Sequence, residues 1–183
     1  MRGAHRCPSP NHGPRPQGAA LRLVVLHSIS LPPGEFGNGC IEQLFTNTLD
    51  WDAHPYFQTI RGATVSSHFV IDRTGRVTQF VSIWDRAWHA GQSNWHGTDN
   101  CNDFSIGIEL EGLEGSHFEE PQYDALVQLS AQLLKALPSI EGFAGHEHIA
   151  PGRKQDPGAG FDWSRLIGGL EALAPGLSWP SQA

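Results

Sequence analysis

Apolar residues along this chain follow two periods, and the places where each period breaks carry the chemistry. Leu21-Arg22-Leu23-Val24-Val25-Leu26 is a short, nearly continuous apolar run, the pattern of a strand buried on both faces. It ends in His27-Ser28-Ile29-Ser30, followed by the breaker Leu31-Pro32-Pro33-Gly34. Phe104 to Gly112 alternates instead, with Ile106, Ile108 and Leu110 on one face and Gly107, Glu109 and Glu111 on the other. Phe69-Val70-Ile71 and Val77-Thr78-Gln79-Phe80 flank the turn residues Asp72-Arg73-Thr74-Gly75 and predict a hairpin.

Helical spacing is clearest from Pro121 to Leu137. There Tyr123, Leu126, Val127, Leu133, Leu134 and Leu137 form one stripe, Pro121 suits the first turn and Pro138 stops the run. Phe161 to Leu173 predicts a second packing helix, and Ile41 to Leu49 a short one. Strands and helices alternate in an α/β order, and the 183 residues suit one domain with a core from about residue 6 to 173. The tail from Pro175 to Ala183 is expected to be loose.

The densest chemistry lies in Gly145 to Gly158, where His146, His148, Lys154 and Asp156 sit between glycine and proline turns. Imidazole nitrogen and carboxylate oxygen are ligands that zinc accepts, and a catalytic site uses three of them. His27, at the end of a buried strand, is an obvious source for the third. Lys154 can place a positive charge beside an oxyanion. Glu109 and Glu111 share one strand face, where acids are expensive unless solvated, paired or close to a metal, and periodicity does not choose between them. An edge strand with both glutamates in water is the simpler alternative. The long connections Asp50 to Ala63 and Trp84 to Asn102 are expected to be binding loops. Trp88 and Trp95 can face a sugar ring there, whereas Trp84 is expected to fill the core.

Composition narrows the partners. Twelve basic against 19 acidic side chains give a net charge of −7, which disfavours nucleic acid or an anionic membrane as partner. Met1 to Gln17 has no apolar stretch of the secretory kind, and nowhere do eighteen apolar residues run together. Three widely spaced cysteines suit reduced thiols in the cytosol.

Six segments in register then carry a resemblance over most of the chain: Cys7-Pro8-Ser9-Pro10-Asn11, His27 to Gly37, Val65-Ser66-Ser67-His68, Ala87-Trp88-His89-Ala90-Gly91, Cys101 to Gly112, and Gly145 to Gly158. Together they resemble the zinc-dependent type 2 N-acetylmuramoyl-L-alanine amidases, which share the peptidoglycan-recognition-protein fold. Within these, the likeness is to the branch acting on 1,6-anhydro-muropeptides in bacterial cell-wall recycling. The resemblance implies a central mixed β-sheet flanked by helices in one domain, and one Zn2+ held by His27, His146 and Asp156. It implies catalysis by Glu109 and Lys154, and it places Trp88, His89, Asn102 and Ser28 against the substrate. His148 becomes a bystander. The implied activity is hydrolysis of the lactyl amide between anhydro-N-acetylmuramic acid and L-alanine, by a cytoplasmic monomer whose partner is a small muropeptide. Ser28 stands where close relatives commonly carry asparagine, and Thr64 and Asn100 where some carry arginine. The rival readings are a non-catalytic recognition module, which usually loses a metal ligand, and an exported amidase acting on wall polymer.

Overall fold

A computed structural model describes residues 3–180. In chain order the elements are strands β1 (His5–Arg6), β2 (His12–Gly13) and β3 (Leu23–Ile29), then helices α1 (Cys40–Phe45) and α2 (Pro55–Thr59). The hairpin strands β4 (Phe69–Ile71) and β5 (Val77–Gln79) follow, with the short β6 (Arg86–Ala87), β7 (Asn94–Trp95) and β8 (Thr98–Asp99). A 3-10 turn at Cys101–Asp103 leads into β9 (Ser105–Glu111), α3 (Glu120–Ala136), β10 (Gly142–Gly145), α4 (His146–Ile149) and α5 (Trp163–Leu170).

The main sheet runs β1-β5-β4-β9-β3-β10, mixed because only the β4–β5 hairpin is antiparallel. The apolar run and the alternating strand are therefore neighbours in the interior of the sheet. All seven residues of β9 are buried, so the acids do not lie on a solvated edge. Ile106, Ile108 and Leu110 join Val24 and Leu26 under α3 and α5, as the alternation requires. Each fully buried leucine or isoleucine here contributes about 1.5–3 kcal/mol. The opposite face carries Leu23, Val25, Ala90, Trp95, Phe104 and Ile149, and it leads into the functional cleft.

α3 begins one residue earlier than its pattern predicts, at Glu120, because Gln122 Oε1 accepts from the Glu119 backbone N–H at 3.0 Å. The same buried amide donates to the carbonyls of Ile71 and Glu111, tying the helix to the ends of β4 and β9. The tail differs from expectation. Ser178 N–H donates to Glu141 O at 2.8 Å, Phe143 N–H donates to Ser178 O at 2.9 Å, and Trp179 stacks on Phe143 with ring centroids 4.9 Å apart. A chain that covers the open edge of β10 in this way is held in place as far as Pro180. The last three residues of the expected loose tail lie outside the described part.

Two buried polar groups fasten the scaffold. The Glu111 carboxylate accepts from Gly37 N–H at 2.6 Å and Arg73 N–H at 3.3 Å, joining β9 to the 31–39 loop and to the hairpin turn. His68 Nδ1 accepts from Gly107 N–H at 2.9 Å with its ring fully buried. Burial foremost, and then the Arg15 charge, pull its pKa down to about 3.

Glu111→Ala is expected to lower the unfolding free energy by about 1–3 kcal/mol, because the amides of Gly37 and Arg73 lose the buried carboxylate that accepts from them. Urea titration beside Glu111→Gln, which keeps one carbonyl oxygen, measures this; unchanged stability would sink the assignment. His68 sets a second expectation. The unfolded chain takes up this proton near pH 6.5 and the folded chain only near pH 3. Stability therefore declines as pH falls through that window, by up to about 1.4 kcal/mol per pH unit for this proton. His68→Gln should show a shallower decline in urea titrations at stepped pH, and an equal slope would refute the role.

Candidate metal centre and cleft

His27 reaches the site because β3 ends there. The strand rises through the core with Leu23, Val24, Val25 and Leu26 all fully buried and delivers the imidazole at its C-terminal end. Glu109 is its register partner on β9, so the two side chains emerge next to each other on one sheet face. His146 opens α4 directly after β10, the neighbour of β3 on its other side. Asp156 returns on the following loop, which Glu147 N–H fixes by donating to Asp156 O at 2.9 Å. Thus three adjacent strands and one turn bring together residues that are far apart in sequence.

His27 Nδ1 lies 3.0 Å from His146 Nδ1 and 3.1 Å from Asp156 Oδ2, and the third side of the triangle, His146 Nδ1 to Asp156 Oδ2, is 3.2 Å. Zinc bonds of about 2 Å put tetrahedral neighbours roughly 3.3 Å apart, so the triangle fits one small cation. The protons agree. His146 Nε2 is 3.0 Å from Ala90 O, and a carbonyl can only accept. Nε2 therefore carries the hydrogen, and Nδ1 turns a lone pair toward the other two atoms. A carbonyl on the remote nitrogen is the usual support of a metal-binding histidine. Burial pushes the His27 pKa down to about 4, which keeps it neutral. Among the described residues this is the one group of three that could hold a metal ion.

The group opens into a cleft of about 490 Å³. Glu109 lines it and is buried at 8% exposure, and its pKa is raised well above the ordinary value by burial and then by Asp156, with Lys154 opposing. Lys154 lines the same cleft and is exposed. The two acids of β9 thus separate by environment: Glu111 is occupied by backbone amides, while Glu109 faces the space beside the metal ligands.

The remaining expected residues divide. Trp88 lines the cleft, half-buried. His89 borders it too, yet its Nδ1 lies 2.9 Å from His27 Nε2. Asn102 is buried behind the wall, where its Oδ1 accepts from the backbone N–H of His89 at 3.1 Å and of Ala90 at 2.8 Å. Ser28 lines the cleft as well, and its buried hydroxyl has no hydrogen-bond partner among the described residues. His148 points elsewhere: its Nδ1 accepts from Gly145 N–H at 2.9 Å and its ring packs on Trp163. Thr64 and Asn100 are both exposed. Two tryptophan expectations reverse. Trp84 is 67% exposed, whereas Trp95, a candidate sugar platform, is 7% exposed and packs with Phe104 in the core. Tyr56 of α2 and Ile60 at its C-terminal cap line the cleft without having been singled out, although their long aromatic segment was expected to bind.

Residues 17–159 match the Amidase_2 family, N-acetylmuramoyl-L-alanine amidase. The chain is 49% identical over 164 residues to the 1,6-anhydro-N-acetylmuramyl-L-alanine amidase AmpD of Salmonella typhimurium, covering 89% of this chain and 88% of that protein. The crystal structure of a selenomethionine AmpD derivative superposes with a TM-score of 0.90 at 46% identity, over 92% of this chain and 95% of that one. AmpDh3 of Pseudomonas aeruginosa, solved in complex with anhydromuramic pentapeptide, gives 0.62 at 30% identity, over 84% and 61%. Drosophila PGRP-LB, at 20% identity over 96% of this chain and 92% of that one, has a TM-score of 0.59 and shares the fold. With its converging histidines and aspartate beside a buried glutamate, the chain belongs to the N-acetylmuramoyl-L-alanine amidase family.

Proposed function

We propose that the protein hydrolyses the lactyl amide between 1,6-anhydro-N-acetylmuramic acid and L-alanine in small muropeptides, using one zinc ion. The observation that carries this is the triangle of His27 Nδ1, His146 Nδ1 and Asp156 Oδ2 beside the buried carboxyl of Glu109 in an open cleft. His27, His146 and Asp156 would hold the zinc, which when bound supplies Lewis acidity toward the carbonyl and makes water a better acid, with a pKa near about 7. The anhydro-sugar specificity in the name of the Salmonella relative supports the substrate, and so does the anhydromuramic pentapeptide held by AmpDh3.

The protein's own groups then divide the work. Glu109 takes the proton of the attacking water and returns it to the departing alanine nitrogen. Its burial keeps the affinity for that proton above that of an ordinary carboxylate, which suits a group that must both accept and donate. Lys154 offers a positive charge at the open side of the cleft, where the carbonyl oxygen becomes negative. Trp88, Tyr56, Leu31 and Pro33 supply flat and apolar walls that fit a compact anhydro ring. A non-catalytic recognition module has no use for a complete ligand set together with a buried acid. In the cytosol this enzyme would also meet nucleotide-linked muramyl-peptide precursors, so rejection of a substituted C1 is part of the proposal.

Glu109→Ala and Lys154→Ala are each expected to lower turnover by roughly 10²–10⁴-fold with folding intact, and chelation should abolish activity. Turnover assays with circular dichroism test this; a Glu109→Ala enzyme near wild-type rate would refute the assignment. Purified active protein should contain one zinc per chain by elemental analysis, and active protein without a transition metal would sink the metal reading.

For substrate choice, kcat/KM on anhydro-muropeptides should exceed that on reducing-end muropeptides by at least about tenfold, or about 1.4 kcal/mol. Mass spectrometry of products from both substrates measures the ratio. Equal rates would leave a general muramoyl-alanine amidase.

A further inference from the structure

His89 borders the cleft, but both of its ring nitrogens are already engaged. Nδ1 lies 2.9 Å from His27 Nε2, and Nε2 lies 3.3 Å from the hydroxyl of the fully buried Ser105. The two imidazoles meet edge-on, with centroids 5.0 Å apart and planes at 84°. No polar atom of the His89 ring is left to grip a substrate. The segment carrying it is fastened at several points: Ser66 N–H donates to Trp88 O, Trp88 N–H donates to Ser66 Oγ, and Asn102 Oδ1 accepts from His89 and Ala90. Ala90 O is in turn the acceptor for His146 Nε2, so one tripeptide backs both histidines of the triangle.

The strand beneath is shaped for this ring. A Cβ at Gly107 would lie 2.6–2.8 Å from three ring atoms of His89, far closer than atoms tolerate. Gly107 interrupts a strand whose other residues all carry side chains, and a glycine inside a strand marks a close approach. Here the object that approaches is His89.

Of two imidazole nitrogens 2.9 Å apart, one must donate and the other accept. If His27 Nδ1 gives its lone pair to a cation, its Nε2 carries the hydrogen, His89 Nδ1 accepts it, and His89 Nε2–H is directed at Ser105 Oγ. We infer that His89 is a positioning residue for the metal centre, its Nδ1 fixing the tautomer and ring orientation of His27, and that it does not contact substrate. This rests on the reading of His27 as a zinc ligand.

The test is zinc affinity, measured on metal-free protein by competition with a chromogenic chelator near neutral pH. His89→Leu fills the space without an acceptor, and His89→Asn keeps an acceptor close to the position of Nδ1. His89→Leu should bind zinc about 10–100-fold more weakly than wild type, the usual effect of losing a histidine's outer partner. His89→Asn should recover most of that loss, and KM at saturating zinc should stay unchanged in both. Wild-type zinc affinity in His89→Leu with a raised KM would overturn the inference and make His89 a substrate contact. If His89→Leu does not fold, histidine ¹⁵N spectra of the wild-type zinc protein decide: the inference expects His89 protonated on Nε2, and a proton on Nδ1 overturns it. A wild-type protein that takes up no zinc would overturn the proposed function as well, so the two failures are told apart in the same titration.

Discussion

Three electron-rich atoms from His27, His146 and Asp156 stand about 3 Å apart with most of their surface shielded from water, and the rest of the site is organised around that crowding. Unless a proton or a cation lies between them, such atoms repel, and the hydrogen on His146 Nε2 is committed to Ala90 O. A fold can maintain this only if each group sits on something that will not relax away. β3 and β10 are parallel neighbours in the six-stranded sheet, and each delivers one histidine at its C-terminal end. Their burial under α3 and α5 supplies the stability that this concentration of lone pairs consumes.

The two acids of β9 show how one strand face can serve structure and chemistry in adjacent positions. Both carboxyl groups are buried at 5–8% exposure, so side-chain alternation and burial treat them alike. They differ in their acceptors' partners. Glu111 meets two backbone amides, belonging to Gly37 and Arg73. Glu109 faces an open cleft, and burial first, then the negative charge of Asp156, raises its proton affinity. A carboxylate supplied with donors is a fastening, and one without them keeps a raised affinity for its proton.

This difference also explains what the sequence could disclose. The buried strand ending in His27, the β4–β5 hairpin and the stripe of α3 all follow from local periodicity, and each lies close to its expected bounds. The choice between Glu109 and Glu111 depends on amides 74 and 38 residues away in the chain, which no local pattern contains. Family resemblance chose Glu109, and the geometry supplies a physical reason for that choice. Tryptophans fail as local signals for the same reason. Trp84 and Trp95 lie in one long connection, yet the first is exposed and the second sits against the sheet, because hydrophobicity does not say which ring of a loop meets the core. The tail reads as loose because its residues lack a period, although a single backbone ladder at Ser178 and one stacked ring hold it.

Where the ligands sit also bears on how the metal is taken up. In small domains that fold around a metal, the ligands are scattered on loops and binding energy is folding energy. In this chain His27 and His146 adjoin strands inside the core, and the loop bearing Asp156 is hydrogen-bonded to Glu147. Packing and hydrogen bonds within the chain thus hold the three groups. Should they bind the proposed zinc, its affinity would be sensitive to small errors in ring orientation. A layer of neutral hydrogen-bond partners behind the ligands is the means available for controlling that orientation, and the tripeptide from Trp88 to Ala90 occupies that position for both histidines.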